Sequence, residues 1–379
     1  MKITSRSSCF KRLHKNMLGV TLIEMMISLT IGLIIIAGIG YIFLASRQGF
    51  RSQDALARMQ EGARIAFEIM DKDIRMTRFT GCPLNPAASG DINILSSSTD
   101  WDKNLIGQPL VGYDFASGTN WSTFPTGVTG VIGNVLRGDA LTVLHTDNSQ
   151  QYIVSSHNTG TSQITLTANH DIQQGTILIA AKPDCSRTVV FQKTNTCTIA
   201  SGSCGNAIIQ HGSSSGTSTY ALGSPAGTID SFDAGSRIYR LKAVTYFIGT
   251  NVAGEPALFR QSLGATGGSP SNTSEELIEG VQNMQLLYGI DTNADRAVDS
   301  YVTADTLTTS ANWLTVLGIR VSLLMVSRQD EQGITTEPHQ YSLDMNGDGD
   351  ITGTGETVTP TDLLLRKVFT TTIAVKNRL

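Results

Sequence analysis

The stretch from Gly19 to about Ser46 constrains this chain more than any other. It opens Gly19-Val20-Thr21-Leu22-Ile23-Glu24 and then runs apolar, with Glu24 as its one charge and no proline. As a helix, Val20 to Ser46 would be about 40 Å long, against a hydrocarbon core of about 30 Å, so it can cross a bilayer. Five basic residues precede it (Lys2, Arg6, Lys11, Arg12, Lys15) and no acidic one. That bias puts the leader in the cytoplasm and the rest of the chain across the membrane. In an ordinary secretory signal the apolar region comes before the cut and is discarded. Here the basic leader ends at a small residue, Gly19, directly before the apolar region. A cut at that point would leave the membrane-length segment as the new N-terminus.

Glu24 is costly in such a segment: about 2–3 kcal/mol at the bilayer centre and less near the interface. It reads either as an interfacial acid that snorkels to water or as a docking charge. The run Gly-x-Thr-Leu-Ile-Glu-Met-Met-Ile-Ser at 19–28 resembles the N-terminus of type IV pilin precursors. The resemblance implies cleavage by a prepilin peptidase after Gly19 and N-methylation of Val20. It also implies that Glu24 pairs with the N-terminal amine of a neighbouring subunit during assembly. Valine stands at 20, where most major pilins carry an aromatic residue; minor subunits vary there. Gly32, Gly38 and Gly40 read as ordinary membrane-span glycines, or as points of close helix approach or local melting in a filament.

The chain has 28 basic and 32 acidic residues. Losing the five basic residues of the leader from those 28 leaves 23 against 32, a net charge of −9. That balance argues against nucleic-acid binding through phosphate contacts. Of five cysteines, Cys9 lies in the leader; Cys82, Cys185, Cys197 and Cys204 remain. An even number in an exported chain suggests two disulfides, with three pairings open. The preferred pairing joins Cys197 to Cys204 across a small Ser/Gly loop and Cys82 to Cys185. No zinc-type Cys-x-x-Cys pair occurs, and the six histidines form no spaced metal or catalytic cluster. Gly212-Ser-Ser214-Ser-Gly216 matches a nucleophile elbow in letters only, because the sequence around it promises neither the strand nor the helix that the elbow needs.

Leu56, Met59, Ala63, Ala66, Met70 and Ile74 follow helical spacing, so residues 47 to about 78 read as an amphipathic continuation of the first helix. Phe79-Thr80-Gly81-Cys82-Pro83 would end it. Residues 83–140 read as irregular and 194–235 as a long exposed loop, with Trp101 and Trp121 as loop anchors. Strands are expected at 140–145, 152–155, 163–167, 176–181, 188–192, 237–248, 257–261 and 281–290, with a central strand in Trp313–Arg328 and a last one in Leu363–Leu379.

Later segments resemble the PilW family, large minor pilins of type IV pili in Gram-negative bacteria. They are Asp71–Met76 with Gly81-Cys82, Asp184-Cys185 to Gln192, Leu287–Asp291, Trp313–Arg328, and Arg366 to Arg378. The resemblance implies a non-enzymatic α+β subunit: a long N-terminal helix packed on a large antiparallel β-rich domain. Its parts would be a leader (1–19), a membrane or filament-core helix (20–46), an amphipathic continuation (47–80) and a β-domain (81–379). It implies a single-pass inner-membrane protein with a periplasmic C-terminal domain, later in the extracellular pilus, where it primes assembly near the tip and supports motility and adhesion. Implied partners are prepilin peptidase, minor pilins of the V and X types, the major pilin and a tip adhesin. The rival is a J-type pseudopilin of type II secretion, which shares the same N-terminus.

No cofactor is required, but two acidic loops suit calcium. Asp291, Asn293, Asp295 and Asp299 place oxygens at positions 1, 3, 5 and 9 of a calcium-loop template. Asp344, Asn346, Asp348 and Asp350 place them at 1, 3, 5 and 7, with Gly349 at position 6. The first loop has Arg296 where the template wants glycine, and both lack the glutamate at position 12. A plain Asp/Asn/Gly turn between strands is the simpler account of either.

Overall fold

The computed structural model describes residues 21–82, 105–115, 138–197, 204–212, 231–328, 337–344 and 356–376, with the backbone of 92–93. The chain divides into two compact units, Met1–Gln53 and Asp54–Leu379. One helix, α1 (Leu22–Met76), contributes to both.

In the first unit the apolar side chains of α1 have no intramolecular cover: Leu22 is 80 % and Ile34 71 % exposed. Its hydroxyls are satisfied inside the helix. Ser28 donates to the Glu24 carbonyl at 2.7 Å and Thr30 to the Ile27 carbonyl at 2.8 Å. In hydrocarbon these groups would have no other partner.

In the second unit Ala55, Met59, Ala63, Ala66, Met70, Asp73 and Ile74 form the buried stripe of α1. Three-four spacing places them on one face. The helix stops at Met76, slightly earlier than its sequence suggests. Arg78 turns to φ +68° and donates its backbone N–H to the Leu144 carbonyl at 2.9 Å, which diverts the chain onto the sheet.

Sixteen strands follow among the described residues: β1 (Ile92–Asn93), β2 (Leu110–Tyr113), β3 (Ala140–Asn158), β4 (Gln163–Leu166), β5 (Ile177–Ala181), β6 (Thr188–Gln192), β7 (Ile208–Gln210), β8 (Arg237–Thr250), β9 (Pro256–Thr266), β10 (Ser269–Glu279), β11 (Val281–Ile290), β12 (Ser300–Val302), β13 (Val316–Val326), β14 (Tyr341–Ser342), β15 (Thr357–Val358) and β16 (Arg366–Ala374). A short helix, α2 (Ser310–Trp313), precedes β13.

A ten-stranded sheet runs β1-β6-β5-β8-β3-β4-β7, with β2 added on β3, β9 on β8 and β10 on β9. A second sheet runs β12-β11-β13-β16. The pairings are antiparallel except β1 with β6. The stripe of α1 packs in one core with Leu141, Val244, Tyr246 and Leu258 of the large sheet and Met284, Leu286, Ile319, Val321 and Leu323 of the small one.

Several elements differ from the sequence reading. Residues 140–145 and 152–155 are one strand, β3, whose pairing to β8 skips between Asp147 and Tyr152. The polar run Asn148-Ser-Gln-Gln151 is absorbed as that irregularity. The hairpin β9–β10 was missed because its second strand is mostly polar. Gly267 and Gly268, at φ +61° and +86°, form its turn. β2 lies within the stretch read as irregular, and β7 within the stretch read as an exposed loop, where Ile209 is wholly buried. Trp101, Trp121 and residues 213–230 lie outside the described residues.

Candidate functional site

The assembly residues expected from the sequence sit at the start of α1. Gly19 and Val20 lie outside the described residues. Thr21 is the first described residue, and its hydroxyl accepts the Glu24 N–H at 3.3 Å. Its carbonyl takes the first helical bond from Met25 at 3.1 Å. Thr21-Leu-Ile-Glu24 is therefore a Thr-x-x-Glu cap, a pattern legible in the sequence but overlooked there. The cap fixes Glu24 in the first turn, beside the helix's positive end, where a carboxylate is favoured. Glu24 is exposed, as are the apolar residues that follow it. A methyl group added at Gly32, Gly38 or Gly40 would meet nothing within 4 Å in this chain.

At the other end of α1 stands a group the sequence reading did not single out. Asp73 is 1 % exposed. Its Oδ1 accepts from Lys242 Nζ at 2.6 Å and its Oδ2 from the Tyr246 hydroxyl at 2.7 Å, both on β8. His145 Nε2 of β3 is 3.4 Å away. Burial alone would raise the Asp73 carboxyl, but the hydrogen bonds from Lys242 and Tyr246, the Lys242 charge and the adjacent His145 ring prevail and hold it well below the usual carboxylate range. The signal was available: spacing from Ala66 and Met70 puts residue 73 on the buried stripe.

Both disulfides lie in the second unit. Cys82 is bonded to Cys185, and Cys197 to Cys204. The first ties the chain just beyond α1 to the β5–β6 turn, where Cys185 sits at φ +56°. The second lies against His170, whose Nδ1 is 3.2 Å from Cys204 Sγ.

Histidines distant in sequence do meet. His157 of β3 and His211, just after β7, face one another with Nε2 atoms 2.9 Å apart. The Phe232 N–H bonds to His157 Nδ1 at 3.1 Å, so the His157 proton sits on Nε2 and points at His211. Burial lowers both imidazoles, and His211 falls to about 4 with the His157 charge as a further cause. A short strand, β7, does precede Gly212, contrary to the sequence reading; Ser214 and Gly216 lie outside the described residues.

The first acidic loop gathers as expected between β11 and β12. Asp291 accepts the N–H groups of Ala294 and Arg296 at 2.7 and 2.9 Å. Asp299 accepts from the Thr292 N–H at 2.7 Å and from Asn293 Nδ2 at 3.2 Å, while Asp295 accepts from the same Asn293 amide at 3.2 Å. Arg296 takes φ +68°, the backbone form the template reserves for glycine. The loop is closed by its own amides, as a hydrogen-bonded turn is. In the second loop Asp344 is described, whereas Asn346, Asp348 and Asp350 are not.

Two family comparisons meet this architecture at its ends. The prokaryotic N-terminal methylation motif matches residues 14–40, from the end of the basic N-terminal stretch into the exposed apolar half of α1. The family described as type IV pilus-assembly protein W matches residues 245–377, from within β8 through β16, which includes the whole four-stranded sheet. No curated protein matches the chain, and no solved structure does. The chain thus carries the N-terminal methylation motif at one end and, over residues 245–377 at the other, is similar to the type IV pilus-assembly protein W family.

Proposed function

We propose that this minor pilin primes type IV pilus assembly and is incorporated at or near the pilus tip, supporting motility and adhesion. The observation that carries this reading is one helix whose apolar half is fully exposed, joined in sequence to a very large domain. The exposed half bears Glu24 in its first turn and is long and apolar enough to cross a membrane. It suits both a reservoir in the inner membrane and a place in a filament core of like helices. The second unit, Asp54–Leu379, is 326 residues. A domain of that size has a radius of gyration of about 20 Å, so it is roughly 50 Å across. A helix is only about 10–12 Å wide. Filament cores built from such helices would crowd these domains if every subunit carried one, which favours a rare or terminal position.

The proposed partners are prepilin peptidase, minor pilins of the V and X types, the major pilin and a tip adhesin. The family match at 245–377 speaks for this reading over a J-type pseudopilin, because the N-terminal motif is common to both.

The test combines processing with assembly. Intact mass of the membrane-extracted chain should show loss of residues 1–19 and one added methyl group on Val20. Glu24→Ala should be processed yet be at least tenfold depleted from sheared pili. Deletion of the chain should abolish piliation, and labelled subunits should lie at one filament end. Normal piliation in a clean deletion would refute the priming role; label along the whole filament would refute the tip position.

A further inference from the structure

The histidine beside the second disulfide is prepared to do more than pack. His170 is 1 % exposed. Its Nε2 is 3.1 Å from the Ile208 carbonyl, an acceptor, so Nε2 carries the proton. Nδ1 therefore presents a lone pair, as the 3.2 Å bond from the Ile172 N–H also requires. That lone pair faces sulfur: Cys204 Sγ is 3.2 Å away, and the ligand atoms of His170, Cys197 and Cys204 all lie within 4.8 Å of one another.

We propose that His170, Cys197 and Cys204 form a binding site for a thiophilic divalent cation of the zinc class when the Cys197–Cys204 disulfide is open. Two features of the site suit that ligand. Its donors are two sulfurs and one imidazole, the set that borderline-soft cations take in tetrahedral sites. The imidazole already makes the outer hydrogen bond, Nε2–H to a backbone carbonyl, that fixes a metal-ligating histidine.

The fit needs the two sulfurs to separate from bonding distance, which opening the disulfide allows. Metal bonds of about 2.3 Å to sulfur and 2.0 Å to nitrogen place sulfurs about 3.8 Å apart and sulfur about 3.6 Å from nitrogen. Cys204 is held for this on the 170–172 segment, with its N–H on the His170 carbonyl at 2.6 Å. The Ile172 carbonyl, 3.4 Å from Cys204 Sγ, or a water completes four ligands. Against this, Nδ1 gives up its bond from the Ile172 N–H, a neutral hydrogen bond exchanged for a metal–nitrogen bond.

The disulfide and the metal exclude each other. Newly made chain has both cysteines as thiols. In oxidised chain an external dithiol supplies two electrons and two protons, becomes a disulfide and leaves both cysteines as thiols. Binding the dication then releases those two protons, and the metal holds the sulfurs against re-oxidation.

Cobalt(II) is the probe, added to the full-length chain in detergent after reduction. The background is Cys82→Ser/Cys185→Ser, with reduced wild type measured in parallel. Reduced chain should show a thiolate-to-cobalt charge-transfer band and tetrahedral d–d bands at one equivalent, displaced by zinc. Oxidised chain should show neither. Cys197→Ser/Cys204→Ser should abolish the bands, and His170→Gln should weaken cobalt affinity at least tenfold while the charge-transfer band survives at saturation. Absence of the bands in reduced wild type, or their persistence in Cys197→Ser/Cys204→Ser, would overturn the site.

Discussion

Asp73 stands at a position where its neighbours on the stripe are apolar or small. Removing its charge should be expensive, because Lys242 would lose its buried counter-charge and one of Lys242 and Tyr246 would face an amide NH2 in place of an acceptor. Breaking one partner of a buried pair costs about 3–5 kcal/mol. Lys242 is 27 % exposed and regains some hydration, so Asp73→Asn should cost roughly 2–4 kcal/mol. Chemical denaturation should show this as a lower midpoint at unchanged slope. A loss below about 0.5 kcal/mol would mean that the network is solvated rather than structural. The same position explains how a residue can be both visible and overlooked. Helical spacing marked 73 as buried, yet an aspartate there contradicts the pattern unless its partners are known, and those lie about 170 residues away on β8.

At the level of elements, α1 was legible because its two halves obey strong local rules: unbroken apolarity, then three-four spacing. β13 was legible because it is apolar but for Arg320 and Ser322, and β11 because Leu286, Leu287, Tyr288 and Ile290 cluster at its end. What stayed hidden is non-local. β10 is polar on both faces up to Glu276, before Leu277 and Ile278 meet the core, and that polar part is a strand because β9 supplies its partner. The His157–His211 pair depends on β3 and β7 both bordering β4, an order no spacing encodes. The link between α1 and the large sheet through Cys82–Cys185 closes a separation of 103 residues. Chain entropy alone gives about 4.7 kcal/mol for a loop of that length, and measured values are typically 2–4. Cys82→Ser/Cys185→Ser should therefore lose about 2–4 kcal/mol, and hydrogen exchange should rise most over residues 70–82. Exchange that rises evenly over the whole domain would mean that the bond stabilises the fold without anchoring the helix end.

For the whole molecule, two buried carboxyls pull its acid–base behaviour in opposite directions. Asp73 has a depressed pKa, so its contribution is present above about pH 4 and is lost as pH falls below that. Asp139, between β2 and β11, behaves in the opposite sense. Its oxygens accept the Leu286 N–H at 2.7 Å and the Phe115 N–H at 3.1 Å. Burial first, then the Asp114 charge, push it up to about 8 despite those bonds. A folded state that binds this proton more tightly than the unfolded chain is favoured at low pH. The contribution is complete below about pH 4, the unfolded value, and declines as pH rises through about 8. Together they give a maximum near pH 4, with a decline on each side that approaches about 1.4 kcal/mol per pH unit. Thermal unfolding of the full chain from pH 3 to 9 should trace that shape. Asp139→Asn should lower stability overall, since its amide nitrogen would face a backbone N–H, but it should flatten the slope between pH 5 and 8. The slope is the decisive reading: if Asp139→Asn keeps the wild-type slope, the alkaline limb belongs to other groups and Asp139 is ionised throughout.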